Sequence, residues 1–144
     1  MRISMSYIDN KTGQLWRRFM PRRMEISDTI GTELYSIEVY PDAFFDTFNP
    51  ASSFEKWATV EVSETFDVPA DMEILTIPSG LYAVFTHYGP AANGPETYRY
   101  IFTEWLPASG YRVAQRPHFA VMGEKYKSDS ADSEEEIWIP ISKI

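Results

Sequence analysis

Hydrophobic and polar positions alternate most clearly between Ile77 and Pro90. Pro78 and Gly80 supply turn geometry, a strand-like run follows, and Gly89-Pro90 ends it. Side chains alternate along a strand, so Tyr82, Val84, Thr86 and Tyr88 share one face, and Leu81, Ala83, Phe85 and His87 share the other. Both faces are largely apolar, which predicts a central strand covered on both sides. A single core explains one covered face. The second calls for a packed partner, an oligomer or a ligand pocket.

The remaining elements follow from the same reading. Met1 to Ser6 alternates as a short first strand, and Asp9 or Asn10 can cap a helix. Leu15, Trp16, Phe19 and Met20 recur at helical spacing until Pro21 disturbs the helix, and residues 22–26 form a further turn. Leu34–Tyr40 and Phe54–Ser63 are the next strands, separated by an aromatic loop or short helix from Ala43 to Pro50. Residues 66–71 read as a connector with Pro69 as its breaker, and the Tyr82 strand begins near Glu73. Gly94-Pro95-Glu96 starts a second helix, whose stripe is Tyr98, Ile101, Phe102, Trp105 and Leu106. Residues 107–110 end it. His118–Glu124 and Glu136–Ile141 are the last strands, and the acidic stretch between them is a solvated hairpin tip.

The two halves echo each other. Leu15 to Pro21 aligns with Ile101 to Pro107, apolar on apolar, and each helix is preceded by one strand and followed by two. The predicted fold is α+β: two strand-helix-strand-strand halves, roughly 1–66 and 67–144, related by a pseudo-twofold within a single domain. Two such halves share a core and leave a cleft at their junction, a preferred place for small molecules.

Composition sharpens this picture in three ways. Aromatic residues make up 15% of the 144 residues, enough to line a site as well as fill a core. The formal net charge of -8 argues against direct nucleic-acid binding and permits cationic partners. The chain has no cysteine, no hydrophobic leader and no apolar run of bilayer length, so a cytoplasmic protein without membrane association is expected.

Five segments in order carry a family resemblance: Trp57-Ala58-Thr59-Val60-Glu61-Val62, Ile77 to Phe85, Trp105 to Tyr111, Arg116-Pro117-His118-Phe119, and Ile137 to Ile141. Together they resemble the GyrI-like small-molecule-binding domain, also called the AraC-type effector-binding domain. The resemblance implies duplicated strand-helix-strand-strand halves around a ligand cleft. It also implies a role as the effector domain of a multidrug-responsive transcription regulator, or as a stand-alone protein. Some stand-alone members inhibit gyrase or hydrolyse cyclopropane-containing compounds. Members often carry a Glu shortly after the Pro-X-Phe element, projecting into the cleft. Ala120 stands at that place here, which weakens both the hydrolase reading and a carry-over of strong cation selectivity from that position.

The expected ligand-binding set is Glu61, Trp57, Tyr82, Trp138, Glu38, Tyr40, Met122 and Ala120. Alternation is expected to place these together on the sheet face turned away from the helices, with Val60, Val62 and the isoleucines of residues 137–141 turned towards the helices. Aromatic faces and partly buried carboxylates suit a flat apolar ligand bearing positive charge. His87 and His118 lack metal-ligand spacing, and no nucleophile elbow or phosphate loop is present, so neither a metal nor a cofactor is expected. Arg17, Arg18, Arg22 and Arg23 suit a helix C-terminus. The first functional reading is a stand-alone module that captures a small amphipathic molecule. The second is a hydrolase using Glu61 as its catalytic residue in the same cleft. The third is an interaction protein whose acidic surface takes a basic partner. A protein partner or a homodimer stays open.

Overall fold

Alternation of apolar and polar positions gives the chain one antiparallel sheet, and two amphipathic helical segments pack on one side of it. The computed structural model describes residues 1–63 and 67–144. The strands are β1 (Arg2–Met5), β2 (Leu34–Val39), β3 (Phe54–Thr59), β4 (Tyr82–Tyr88), β5 (Tyr111–Val113), β6 (His118–Met122) and β7 (Glu134–Lys143). The helices are α1 (Thr12–Phe19), α2 (Gly94–Tyr100) and α3 (Leu106–Ser109), with a π-helical turn, Ile101–Trp105, joining the last two. The main sheet path runs β1-β3-β2-β6-β7-β4, and β5 pairs with the end of β7. Each half therefore contributes strand, helix, strand, strand, and the halves meet where β2 pairs with β6. The middle of that pairing is Ser36 opposite Ala120.

Each helix covers the flank of the sheet built by its own half. Leu15 and Phe19, one turn apart on α1, are buried against Met1, Ala58 and Met72. Ile101 is buried against Ala83, Ile137, Ile139 and Ile141. Burying one large apolar side chain contributes about 1.5–3 kcal/mol, so these two clusters hold the helices to the flanks. The seam between the halves is left with the small residues Ser36 and Ala120 and no helix directly above it.

The sequence expectation for the Tyr82 strand is corrected in two respects. First, among the described residues β4 pairs with β7 alone and lies at an end of the main sheet path. Its two-sided apolarity has separate causes: Ala83 and Phe85 pack under the second helical segment, while Tyr82 joins an aromatic cluster on the other face. Val84 and Tyr88 on that face remain 46% and 68% exposed. Second, the strand starts at Tyr82 rather than near Glu73. Residues 73–81 instead form a strap. Glu73 is bound by Arg2 on β1, at one edge, while the Leu81 carbonyl accepts the Ile141 amide at 3.0 Å near the other. Crossing from β1 to β4 spans five interstrand gaps, about 24 Å, within the reach of nine extended residues.

Other boundaries move by a few residues. Phe54–Thr59 is shorter than expected, and Val62 instead bridges to Thr29. β7 is longer than expected, and β5 is an additional element. The proposed boundary between the halves, and the start of the connector at Phe66, fall at residues 64–66, outside the described residues. The Arg116 guanidinium binds the Leu81 carbonyl and lies against Gly80.

Candidate functional site

The seam opens into a cavity of about 1410 Å³ between α1 and α2. Strand register fixes its floor. Glu38 pairs with Lys56 on one side and His118 on the other, and Ser36 pairs with Ala58 and Ala120, so all of these share the helix-facing side. Leu34, Ser36, Glu38, Lys56, Ala120 and Met122 form the floor. Trp16 and Met20 contribute one wall, Tyr98 and Phe102 the other, and Phe44 and Phe45 lie over one end. The π-helical turn brings Phe102 to this wall, where it stacks on Phe45 at 5.3 Å and 11°. Such turns re-aim side chains within a helix. Arg99, Arg112 and Asp46 sit on the exposed rim.

The floor is electrically distinctive. Lys56 Nζ lies 3.3 Å from Glu38 Oε1, and their side chains are only 12% and 11% exposed. Glu38 Oε2 is buried and has no hydrogen-bond partner among the described residues. Loss of solvent raises the Glu38 pKa above the ordinary carboxylate value, and the attraction of Lys56 opposes that without overcoming it. Glu135, also on the lining, is raised by burial and by the charge of Glu38, against the pull of His87 and Lys56. Burial pushes His118 down to about 3, so its imidazole is neutral at physiological pH. A buried carboxylate with one free oxygen, framed by aromatic rings, is complementary to a hydrophobic cation.

The structure divides the expected residue set between the two faces of the sheet. Glu38, Ala120 and Met122 line the cavity. Tyr40 stands behind it, 4.6 Å from Phe44 between ring centroids, with its hydroxyl 2.5 Å from that of Tyr7. Burial pushes the Tyr7 phenol up to about 12 and that of Tyr40 well above its usual value. Trp57, Glu61, Tyr82 and Trp138 do not line the cavity. Trp57 pairs with Ile37 and Trp138 with Phe119, and this register puts them on the opposite, outer face. The face assignment made from sequence is therefore corrected. Alternation tells which residues of one strand share a face, but only register tells which face a neighbouring strand adds to it.

Sequence reasoning missed Lys56, Glu135 and Tyr98. Lys56 did carry a signal: it alternates with Phe54 and Ala58, both buried, so the pattern turns the lysine inward. Glu135 lies in the acidic stretch expected to be solvated, and β7 extends far enough to draw it in.

Comparison with known proteins places the chain in a family. The model of a family described as the GyrI-like small molecule binding domain matches residues 1–142. The transcriptional regulator BrlR of Pseudomonas aeruginosa is 30% identical over 131 residues, covering 90% of this chain and 46% of that protein. A DNA gyrase inhibitor of Erwinia billingiae is 31% identical over 100 residues, covering 65% of this chain and 62% of that protein. The chain thus spans only part of the length of either relative. Among solved structures, that of SAV2435 bound to tetraphenylphosphonium superposes with a TM-score of 0.68 at 15% identity. The match covers 99% of this chain and 86% of that one, and is a likeness of fold. Among the described residues no helix is long and apolar enough to cross a membrane.

Proposed function

The chain belongs to the GyrI-like small-molecule-binding-domain family, and we propose that its cavity captures small amphipathic cations, with Glu38 as the charge that selects them. The observation that carries this reading is the free, buried Oε2 of Glu38 at the floor of an aromatic-walled cavity. Lys56 neutralises the carboxylate while the cavity holds no ligand, and a bound cation competes with Lys56 for it. The cost of burying Glu38 is then offset by the ligand rather than by solvent. Aromatic walls supply apolar burial and attraction for positive charge. The bound tetraphenylphosphonium of SAV2435 is a compound of this chemistry, and the regulator relative suggests a cytoplasmic sensor whose occupancy is read by a transcriptional apparatus. Glu61 lies outside the cavity, so a hydrolase built on Glu61 there lacks its geometry.

A thermal-shift series tests the reading. A ligand that binds only the folded state stabilises it by mass action, about 2.7 kcal/mol at a hundred times the dissociation constant. Tetraphenylphosphonium is expected to raise the melting temperature by several degrees, a neutral triarylphosphine oxide by less, and Glu38→Gln to remove the difference. Lys56→Met is expected to enlarge the shift, because the cation no longer competes with an internal one. Equal shifts for charged and neutral ligands in all three proteins would overturn the proposal.

A further inference from the structure

The outer face of the sheet carries a second organised surface. Phe119 and Trp138 stack there at 5.1 Å and 19°, and Tyr82 lies 5.4 Å from Phe119 and 5.8 Å from Trp138. Tyr35 continues the row at 6.3 Å from Phe119. These rings come from β2, β6, β7 and β4, so the row spans three interstrand gaps, about 14 Å. The strap of residues 73–81 crosses the same face, where Trp57 and Ile37 are buried to 5% and 4% exposure. The aromatic row is left only half-buried, and Val84 beside it is 46% exposed.

Carboxylates border this row and are held by its polar atoms. Trp138 Nε1 donates to Glu136 Oε1 at 3.1 Å, and the Tyr35 hydroxyl donates to Glu61 Oε1 at 3.3 Å. Glu61, Glu33 and Glu136 all raise the Tyr35 phenol pKa by their charge, after burial itself, which places three acids around one ring. None of the three has an ion-pair partner among the described residues. Elsewhere on this face Arg2 is taken by Glu55 and Glu73, and Arg116 lies over Tyr82. The acidic end of the row is therefore uncompensated among the described residues.

We infer that this aromatic, acid-bordered surface docks an extended basic segment of a partner polypeptide, with arginine or lysine heads on Glu61 and Glu136 and apolar side chains across Phe119 and Trp138. Charge complementarity selects this occupant. A second copy of the chain would bring its own Glu33, Glu61 and Glu136 against the first set, on a molecule of net charge -8. A free small cation would meet an open face that water screens, whereas a segment spreads several contacts along the row. The inference is independent of the cavity, because none of Glu61, Tyr82, Phe119 and Trp138 lines it.

The test uses an eight-residue peptide alternating arginine and valine as probe, with its glutamate–valine counterpart as control, read by Trp fluorescence and calorimetry. The basic peptide is expected to bind at low salt, and the acidic one not to bind. Glu61→Gln/Glu136→Gln, at exposed positions, is expected to weaken binding at least tenfold while leaving tetraphenylphosphonium affinity within twofold. Saturating tetraphenylphosphonium is expected to leave peptide affinity unchanged in the unaltered protein. Peptide affinity that survives the double substitution, displacement of the peptide by tetraphenylphosphonium, or a stable homodimer that buries Trp138 would each overturn the inference. Failure of tetraphenylphosphonium to bind would count against the cavity reading alone.

Discussion

The two faces of the sheet use the same residue types to opposite ends. On the helix-facing side a carboxylate, Glu38, is buried beside Lys56 and its second oxygen is left without a partner. On the outer side Glu61 and Glu136 are exposed and each accepts a hydrogen bond from an aromatic side chain. A buried charge gains much from a ligand because water no longer competes for it, while an exposed one gains little from any single contact and needs several. On the proposed readings, the inner face takes one compact ligand and the outer face an extended one. The difference arises from the helices: they cover the flanks of one side, and the gap between them becomes the cavity.

Substitutions at opposite depths separate the two sides most strongly in stability. Phe19→Ala, which opens a hole under α1 where the ring is 1% exposed, is expected to cost about 3–5 kcal/mol. Tyr88→Ala on the outer side of β4 is expected to cost under about 1 kcal/mol. Denaturant midpoints read both, and comparable losses would erase the contrast between a structural face and a recognition face.

The next effect is in acid. The folded protein holds His118 neutral down to about 3, against an ordinary 6.5. The unfolded chain therefore takes up this proton first. Its contribution to stability is complete above pH 6.5 and is lost as pH falls towards 3, at up to about 1.4 kcal/mol per pH unit. Glu38 has the reverse sign, since its raised pKa favours the folded state on the acid side and that contribution is lost as pH rises through the folded value. The difference between the wild type and His118→Phe isolates the histidine. That difference is expected to shift in favour of the variant as pH drops from 6.5 to 4, and a constant difference would show that His118 is not held neutral.

Ligand binding should carry its own pH dependence. Glu38 and Glu135 are both held above the usual carboxylate range. Cation affinity is expected to rise with pH through that range by at most about tenfold per unit for each group, with proton release on binding, while neutral aromatics bind without pH dependence. Calorimetry in two buffers of different ionisation enthalpy reads the released protons directly. The smallest effect is that of Glu136→Gln on stability, expected to stay within about 0.5 kcal/mol because the group is exposed.

The architecture was largely readable from the chain. The matched stripes of Leu15–Pro21 and Ile101–Pro107 marked the two helices, and the strands around them fell near their expected places. Two-sided apolarity of the Tyr82 strand was read as centrality, yet an edge strand acquires it when a helix covers one face and an aromatic row the other. Of the residues expected from type and alternation, Glu38, Ala120 and Met122 line the cavity. Trp57, Glu61, Tyr82 and Trp138 were grouped with them because sequence does not encode the register that pairs Trp57 with Ile37 rather than with Glu38. Lys56 is absent from that set, although its alternation with the buried Phe54 and Ala58 turns it inward.

The proposed selection of small hydrophobic cations rests on Glu38 of the inner face and not on Glu61 of the outer face, and a pair of isosteric substitutions tests it. Tetraphenylphosphonium and a neutral triarylphosphine oxide would be titrated calorimetrically into the wild type, Glu38→Gln and Glu61→Gln. The predicted result is a loss of cation affinity of about 1–3 kcal/mol for Glu38→Gln, little change in affinity for the neutral compound, and no change for either ligand with Glu61→Gln. Loss of cation affinity with Glu61→Gln and none with Glu38→Gln would contradict the account.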